Sequence, residues 1–153
     1  MGVLFVCTGN YYRSRFAELY FNHLASKLSV PLQAFSRGLE VYRSLNEGNL
    51  SPHTLQYLSA IGVPVSEPLT GPKQLQAQDL GQASLVVVLD ETEHRPMVKR
   101  YFPEWEEKAI YWQFEDDYLR APEQVLPALK RQVSELLESL SPSVHANTPP
   151  VDN

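Results

Sequence analysis

Gly2-Val3-Leu4-Phe5-Val6-Cys7-Thr8-Gly9-Asn10-Tyr11-Tyr12-Arg13-Ser14 is the stretch that decides the fold. Val3 to Val6 is an unbroken apolar run, the pattern of a buried strand. It ends on Cys7, the single cysteine of the chain. A short loop with Gly9 and Asn10 follows, and an amphipathic helical pattern begins directly after Arg13. A lone cysteine behind a strand is usually a small core residue. A thiol, a tight loop and an arginine at a helix start together form a place to hold an anion and attack it.

Strand and helix signals alternate outward from this stretch. A strand over 2–7 is followed by a predicted helix over 14–28, with Phe16, Leu19, Tyr20, His23/Leu24 and Leu28 at three-to-four spacing. Residues 32–36 read as a second strand and 37–49 as irregular. Ser51-Pro52 reads as an N-cap with proline at the first helical position, opening a helix to about Ile61 that Gly62 stops. Residues 83–89 contain Leu85-Val86-Val87-Val88-Leu89, the continuous run of a parallel strand buried on both faces. A helix over 90–101 contains Pro96, which predicts a bend or interruption. A short strand is expected over 109–112 and a last helix over 122–140, with a stripe of Leu126, Leu129, Val133, Leu136, Leu137 and Leu140 and with Pro127 in its first turns. From Ser141 the chain is rich in Ser, Pro and Asn and reads as a disordered tail, so a single domain is expected over 1–140 and a tail over 141–153. The repetition predicts an α/β fold with a parallel sheet and helices on both faces. In such folds ligands bind at the carboxyl ends of the strands. Cys7, Asp90 and the Asp116-Asp117 pair all fall at that edge.

With 153 residues, 43% of them hydrophobic and 20% charged, the chain has the composition of one globular domain. No apolar stretch approaches the roughly 18 residues of a membrane span, and no basic n-region precedes the first apolar run. A net charge of -5 without a basic run disfavours nucleic acid as a partner. One cysteine makes no internal disulfide, which fits a reducing cytoplasm. The four histidines, His23, His53, His94 and His145, lack metal-ligand spacing and read as surface or packing residues. Trp105 and Trp112 read as packing residues, and Glu104, Glu106 and Glu107 as a solvated turn.

The opening loop suits a phosphate monoester. A tight turn into a helix points successive backbone N–H groups inward, a nest for an anion. Gly9 and Asn10 tolerate the positive φ such a loop needs. Arg13 offers a planar fork for two oxygens, and the amides, the helix dipole and Arg13 favour Cys7 as thiolate. Ser14 can donate its hydroxyl to the sulfur. An ordinary thiol is already a few per cent thiolate at pH 7, so full ionisation gains only about 30-fold. The remainder of the acceleration must come from the nest and Arg13. A leaving oxygen also needs a proton. Asp116, in Phe114-Glu115-Asp116-Asp117-Tyr118, is the chosen donor, with Asp117 the close rival.

Cys7 to Ser14, followed by Phe16-Ala17-Glu18, resembles the low-molecular-weight protein tyrosine phosphatase family, and the likeness extends to about residue 140. Ser36-Arg37-Gly38 resembles the Ser-Ala-Gly segment after the second strand, and Leu89-Asp90-Glu91 the Met-Asp-Glu turn. Ser51-Pro52 and the helix to Ile61-Gly62-Val63 resemble the family's next helix. Asp116-Asp117-Tyr118 falls on the family's Asp-Pro-Tyr loop. The resemblance implies a three-layer α/β/α fold around a four-stranded parallel sheet, the phosphotyrosine phosphatase I-like fold. It implies a metal-independent, cofactor-free hydrolase acting on a phosphorylated protein or small phosphomonoester through a phosphocysteine. Carried over, Cys7 is the nucleophile, Arg13 the phosphate clamp and Asp116 the acid and base. Thr8, Gly9, Asn10, Tyr11, Tyr12 and Ser14 hold phosphate and shape the loop, and Tyr42 and Tyr118 line the substrate cleft.

Five positions depart from the resemblance. Tyr12 replaces a second cysteine, so no internal disulfide can shield Cys7 from oxidation. Tyr11 stands where a small or aliphatic residue is common, Asp117 replaces proline, Lys73 replaces arginine, and Arg15 replaces proline. Four readings therefore compete. The first is an active phosphotyrosine phosphatase. The second is a weak or inactive member that binds phosphate or a phosphoprotein. The third is a phosphoarginine phosphatase, which Tyr11 opposes. The fourth is an arsenate reductase, whose chemistry needs further cysteines.

Overall fold

The computed structural model describes residues 2–141. Four parallel strands form one sheet in the order β2-β1-β3-β4: β1 Gly2–Cys7, β2 Gln33–Gly38, β3 Leu85–Val88 and β4 Ile110–Tyr111. Val3 pairs with both Ala34 and Leu85, which places β1 at the centre. Five helices surround the sheet: α1 Arg13–Lys27, α2 Pro52–Ala60, α3 Ala77–Gln82, α4 Glu91–Tyr101 and α5 Pro122–Leu140.

Strand alternation divides the core into two layers. Val3, Phe5 and Cys7 face α1, α2 and α5 in a cluster with Phe16, Phe21, Leu58, Leu129 and Val133. Leu4 and Val6 face the other way and join Val86, Val88, Leu80 of α3 and Val98 of α4. Helices thus cover both faces of a four-stranded parallel sheet, the expected three-layer arrangement. Phe5 is sealed by ring contacts with Phe21 and Trp112 at 6.0 and 5.8 Å. Among the described residues no helix is long and apolar enough to cross a membrane.

Several boundaries differ from those expected. β2 continues through Arg37 and Gly38 because both pair with β1, while Arg37 lies over Phe35 and meets Asp79 at 3.2 Å. In α1, Phe21 and Ala25 are buried, whereas Leu28 lies beyond the helix end and is half exposed. Helix α3 was not anticipated; it is short, contains Gly81, and is held by a reciprocal Gln76–Asp79 capping box and one buried residue, Leu80. α4 runs unbroken through Pro96 and α5 through Pro127. Each proline is the sixth residue of its helix and strips a partner from the carbonyl four residues back, on Thr92 and Glu123, which are solvent-accessible enough for water to replace it. Ser141 is buried, and the rest of the expected tail lies outside the described residues.

Candidate active site

The loop from Cys7 to Arg13 leaves the carboxyl end of β1 and enters α1. Its carbonyls turn outward: those of Cys7 and Thr8 accept from the backbone N–H of Leu39 and Glu40, and that of Tyr11 from Ser51 N–H. The Gly9 carbonyl accepts from Ser44 Oγ and that of Tyr12 from Thr54 Oγ1, at 2.6 and 2.9 Å. A trans peptide sends the next N–H the opposite way. The amides of Thr8, Gly9, Asn10, Tyr12 and Arg13 are therefore directed inward. Asn10 takes the left-handed conformation, φ 50°. Gly9 does not; its reason is close approach, since a Cβ there would lie 2.9 Å from Ser44 Cβ. Gly38 is more restricted still, because a Cβ on its backbone would lie 2.7 Å from Thr8 O and 2.9 Å from Asn10 N.

Side chains fix the loop from below. Asn10 Nδ2 donates to Ser14 Oγ and to Ser36 Oγ, both at 2.9 Å, and Asn10 Oδ1 accepts from Lys73 N–H at 2.9 Å. Ser36 Oγ donates its own proton to Glu18. Since Ser14 Oγ already accepts from Asn10, its hydrogen is free for Cys7 Sγ, 2.9 Å away. Lys73 thus acts here through its backbone rather than its charge. Arg15 is buried, donating to Asn49 O at 2.9 Å and Thr70 Oγ1 at 3.4 Å, so it ties α1 to the two loops on that flank.

Cys7, Thr8, Gly9, Tyr11, Tyr12, Arg13, Asp116, Asp117 and Tyr118 line one cavity of about 400 Å³, together with Arg43, Ser44, Glu47, Glu93 and Met97. Asn10 and Ser14 lie behind it. Tyr42 is not in the lining; it is 63% exposed with Arg43 over its ring. Asp116 Oδ2 stands 3.5 Å from Arg13 Nη2. Asp117 N–H donates to Asp116 Oδ1, while Asp117 itself is exposed on the rim.

Arg13 is buried among acids. Its Nη1 donates to Glu93 Oε1 and Phe114 O, both at 3.0 Å, and its Nη2 to Glu93 Oε2 at 3.2 Å. Asp90 Oδ2 lies 3.8 Å from Nη1. Burial works against the charged guanidinium, but Cys7, Glu93 and Asp116 outweigh it and hold Arg13 more firmly protonated than usual. Burial likewise opposes the Glu93 carboxylate, yet hydrogen bonds from His94 and Arg13 hold it well below the usual carboxylate range.

Sequence reasoning did not single out for the site Arg43, Ser44, Glu47 or Met97 of the lining, nor Glu93 and His94, which reach the loop itself. Of the two expected roles, surface or packing, His94 takes the second: it is fully buried, and its place is beside the loop. Burial pushes its pKa down, so it is neutral. Its Nδ1 accepts from Asp90 N–H at 3.1 Å, which leaves the proton on Nε2, 3.0 Å from Thr8 Oγ1 and 3.2 Å from Glu93 Oε2. Asp90 caps the start of α4 and accepts from Glu93 N–H at 3.2 Å. Among the described residues no group of three His, Cys, Asp or Glu is arranged to hold a metal ion.

The Tyr12 hydroxyl is buried and, among the described residues, finds no hydrogen-bond partner. Burial first, then Asp117, keep the phenol protonated. An unsatisfied buried group costs about 1–3 kcal/mol. Thermal denaturation of Tyr12→Phe is therefore expected to show a melting temperature equal to or above that of the parent. A clear drop would mean the hydroxyl has a partner the fold depends on.

The chain as a whole is similar to known proteins. The family model described as low molecular weight phosphotyrosine protein phosphatase matches residues 2–146. Among solved structures, a low molecular weight protein tyrosine phosphatase from T. tengcongensis is 28% identical, with 92% of this chain and 97% of that one covered and a TM-score of 0.71. SP-PTP, the corresponding protein from Streptococcus pyogenes, is 20% identical over 95% and 96% of the two chains, with a TM-score of 0.78. A mutant of YwlE from Bacillus subtilis is 22% identical over 92% and 95%, with a TM-score of 0.69; another YwlE structure is that of an arginine phosphatase. No curated protein matches the chain significantly. A thiol, a serine and an arginine gathered on an inward-facing amide loop, in a chain that the family model spans almost from end to end, place it in the low molecular weight phosphotyrosine protein phosphatase family.

Proposed function

We propose that this phosphatase hydrolyses phosphomonoesters, phosphotyrosine foremost, through a phosphocysteine on Cys7. The observation that carries the reading is the convergence of Cys7, Arg13 and Asp116 on one cavity whose floor is the inward-facing amides of the loop. The Cys7 thiolate attacks phosphorus in line and forms an S–P bond as the P–O bond to the leaving group breaks. Asp116 gives its proton to the departing oxygen. Asp116 then takes a proton from water, whose oxygen attacks phosphorus, and the S–P bond breaks to release phosphate and the thiolate. The amides and Arg13 stabilise the charge on the phosphoryl oxygens in both steps. Apart from the attacking water, each step uses side chains and amides of this chain, and the single thiol suits the reducing cytoplasm.

Asp116 is the acid in this reading because it lies beside Arg13, whereas Asp117 is on the exposed rim. Turnover of p-nitrophenyl phosphate is the direct test. Asp116→Asn should lower kcat on the order of 10²-fold, the usual worth of a positioned acid, with a smaller loss on a substrate whose leaving group needs no proton. Asp117→Asn should change kcat less than about threefold. The reverse order would move the acid to Asp117. A wild type that binds phosphate or tungstate without turnover would replace the catalytic reading with a binding one.

A further inference from the structure

Arg13 is expected to receive the phosphoryl oxygens, and its orientation is set by a residue 80 positions away in sequence. A guanidinium has five N–H donors in a fixed plane. Three are used: Nη1 by Glu93 Oε1 and Phe114 O, and one hydrogen of Nη2 by Glu93 Oε2. What is left is Nε–H and the second Nη2 hydrogen, and these lie parallel along one edge of the plane. We propose that Glu93 is a positioning residue that locks the Arg13 end fork so that the Nε–Nη2 edge is presented to the phosphoryl group. The inference rests on the phosphatase reading and adds to it a residue that the loop motif does not contain.

Glu93 is itself held from three sides. Thr8 Oγ1 donates to Oε2, the neutral His94 Nε2–H lies against the same oxygen, and the Glu93 N–H is capped by Asp90. The chain of contacts runs from the Asp90 amide through His94 and Thr8 to Glu93 and ends on Arg13. Thr8 also belongs to the loop, so the clamp and the nest share one anchor. A carboxylate facing the clamp carries a cost, because it repels an arriving dianion. Its charge weakens ground-state binding while its geometry serves the transition state, and the two effects are separable.

Glu93→Gln removes the charge and one of the two bonds to the fork at almost constant shape. With p-nitrophenyl phosphate, kcat is expected to fall roughly 10- to 100-fold while KM and inhibition by inorganic phosphate stay level or tighten. In an Arg13→Lys background there is no fork to orient, so adding Glu93→Gln should change kcat by less than about threefold. A kcat equal to wild type, a rise in kcat/KM, or the same loss in both backgrounds would overturn the proposal. Thr8→Val, which removes the hydroxyl that holds Oε2 and meets His94 Nε2, is the second variant should Glu93→Gln not fold. It should lower kcat severalfold at constant KM, and an unchanged kcat there would count equally against the clamp. A wild type without turnover would instead remove the phosphatase reading itself.

Discussion

Cys7→Ser is expected to lose turnover by on the order of 10³-fold or more while still binding inorganic phosphate. A serine hydroxyl is a far weaker acid than a thiol, so little of it is present as the nucleophilic anion at neutral pH. A thousandfold loss corresponds to about 4 kcal/mol at the barrier. Nothing else at the site need change. The sulfur is hydrogen-bonded to Ser14 Oγ, and a hydroxyl can accept the same proton. The inward amides and Arg13 stay in place because their partners are Leu39, Glu40, Ser44, Ser51, Thr54 and Glu93, not the Cys7 sulfur. Phosphate affinity measured by calorimetry should therefore remain within a few-fold of wild type. Retained turnover would move the nucleophile elsewhere, and lost phosphate binding would mean that the loop depends on the sulfur for its shape.

Arg13→Lys is expected to cost more than loss of the thiolate could explain. If the arginine served only to ionise Cys7, the largest loss at pH 7 would be about 30-fold, the gap between a few per cent thiolate and full ionisation. The proposed mechanism asks more of it. Arg13 spends three N–H groups on Glu93 and Phe114 and keeps a two-donor edge for the cavity. A lysine keeps the charge but has no planar fork, so it cannot satisfy both sides. A fall in kcat of roughly 10²- to 10³-fold follows, as for removal of an oriented oxyanion donor. The decisive condition is about pH 9, where even an ordinary thiol is mostly ionised. A deficit that persists there belongs to the fork. Near-normal turnover, or a deficit that disappears at high pH, would assign Arg13 to the thiolate alone.

The parts of this site that are local in sequence were legible in it. Cys7 to Ser14 form one continuous turn between a strand and a helix, so residue types and spacing already fix which groups face together. The strand run of β3 was legible for the same reason, and so was the position of Asp116 after the last strand. Glu93 and His94 were not. They reach the loop only because β3 lies beside β1, with Val6 opposite Val88, which carries the first turn of α4 over Thr8 and Arg13. A histidine and a glutamate in a helix of charged residues give no local sign that they are turned inward. Helix α3 escaped for another reason: its stability lies in a two-residue capping box and one leucine, too little periodicity to stand out. The role expected of Gly9 was right about the loop and wrong about the cause, since close contact with Ser44 cannot be read before the neighbours in space are known.

The central claim is that the phosphoryl group passes through Cys7. The most direct measurement is mass spectrometry of the protein after a rapid denaturing quench during turnover of p-nitrophenyl phosphate. One phosphoryl increment is expected, located on the peptide carrying Cys7. Turnover without an increment on that peptide, or with the phosphoryl group on another residue, would contradict it.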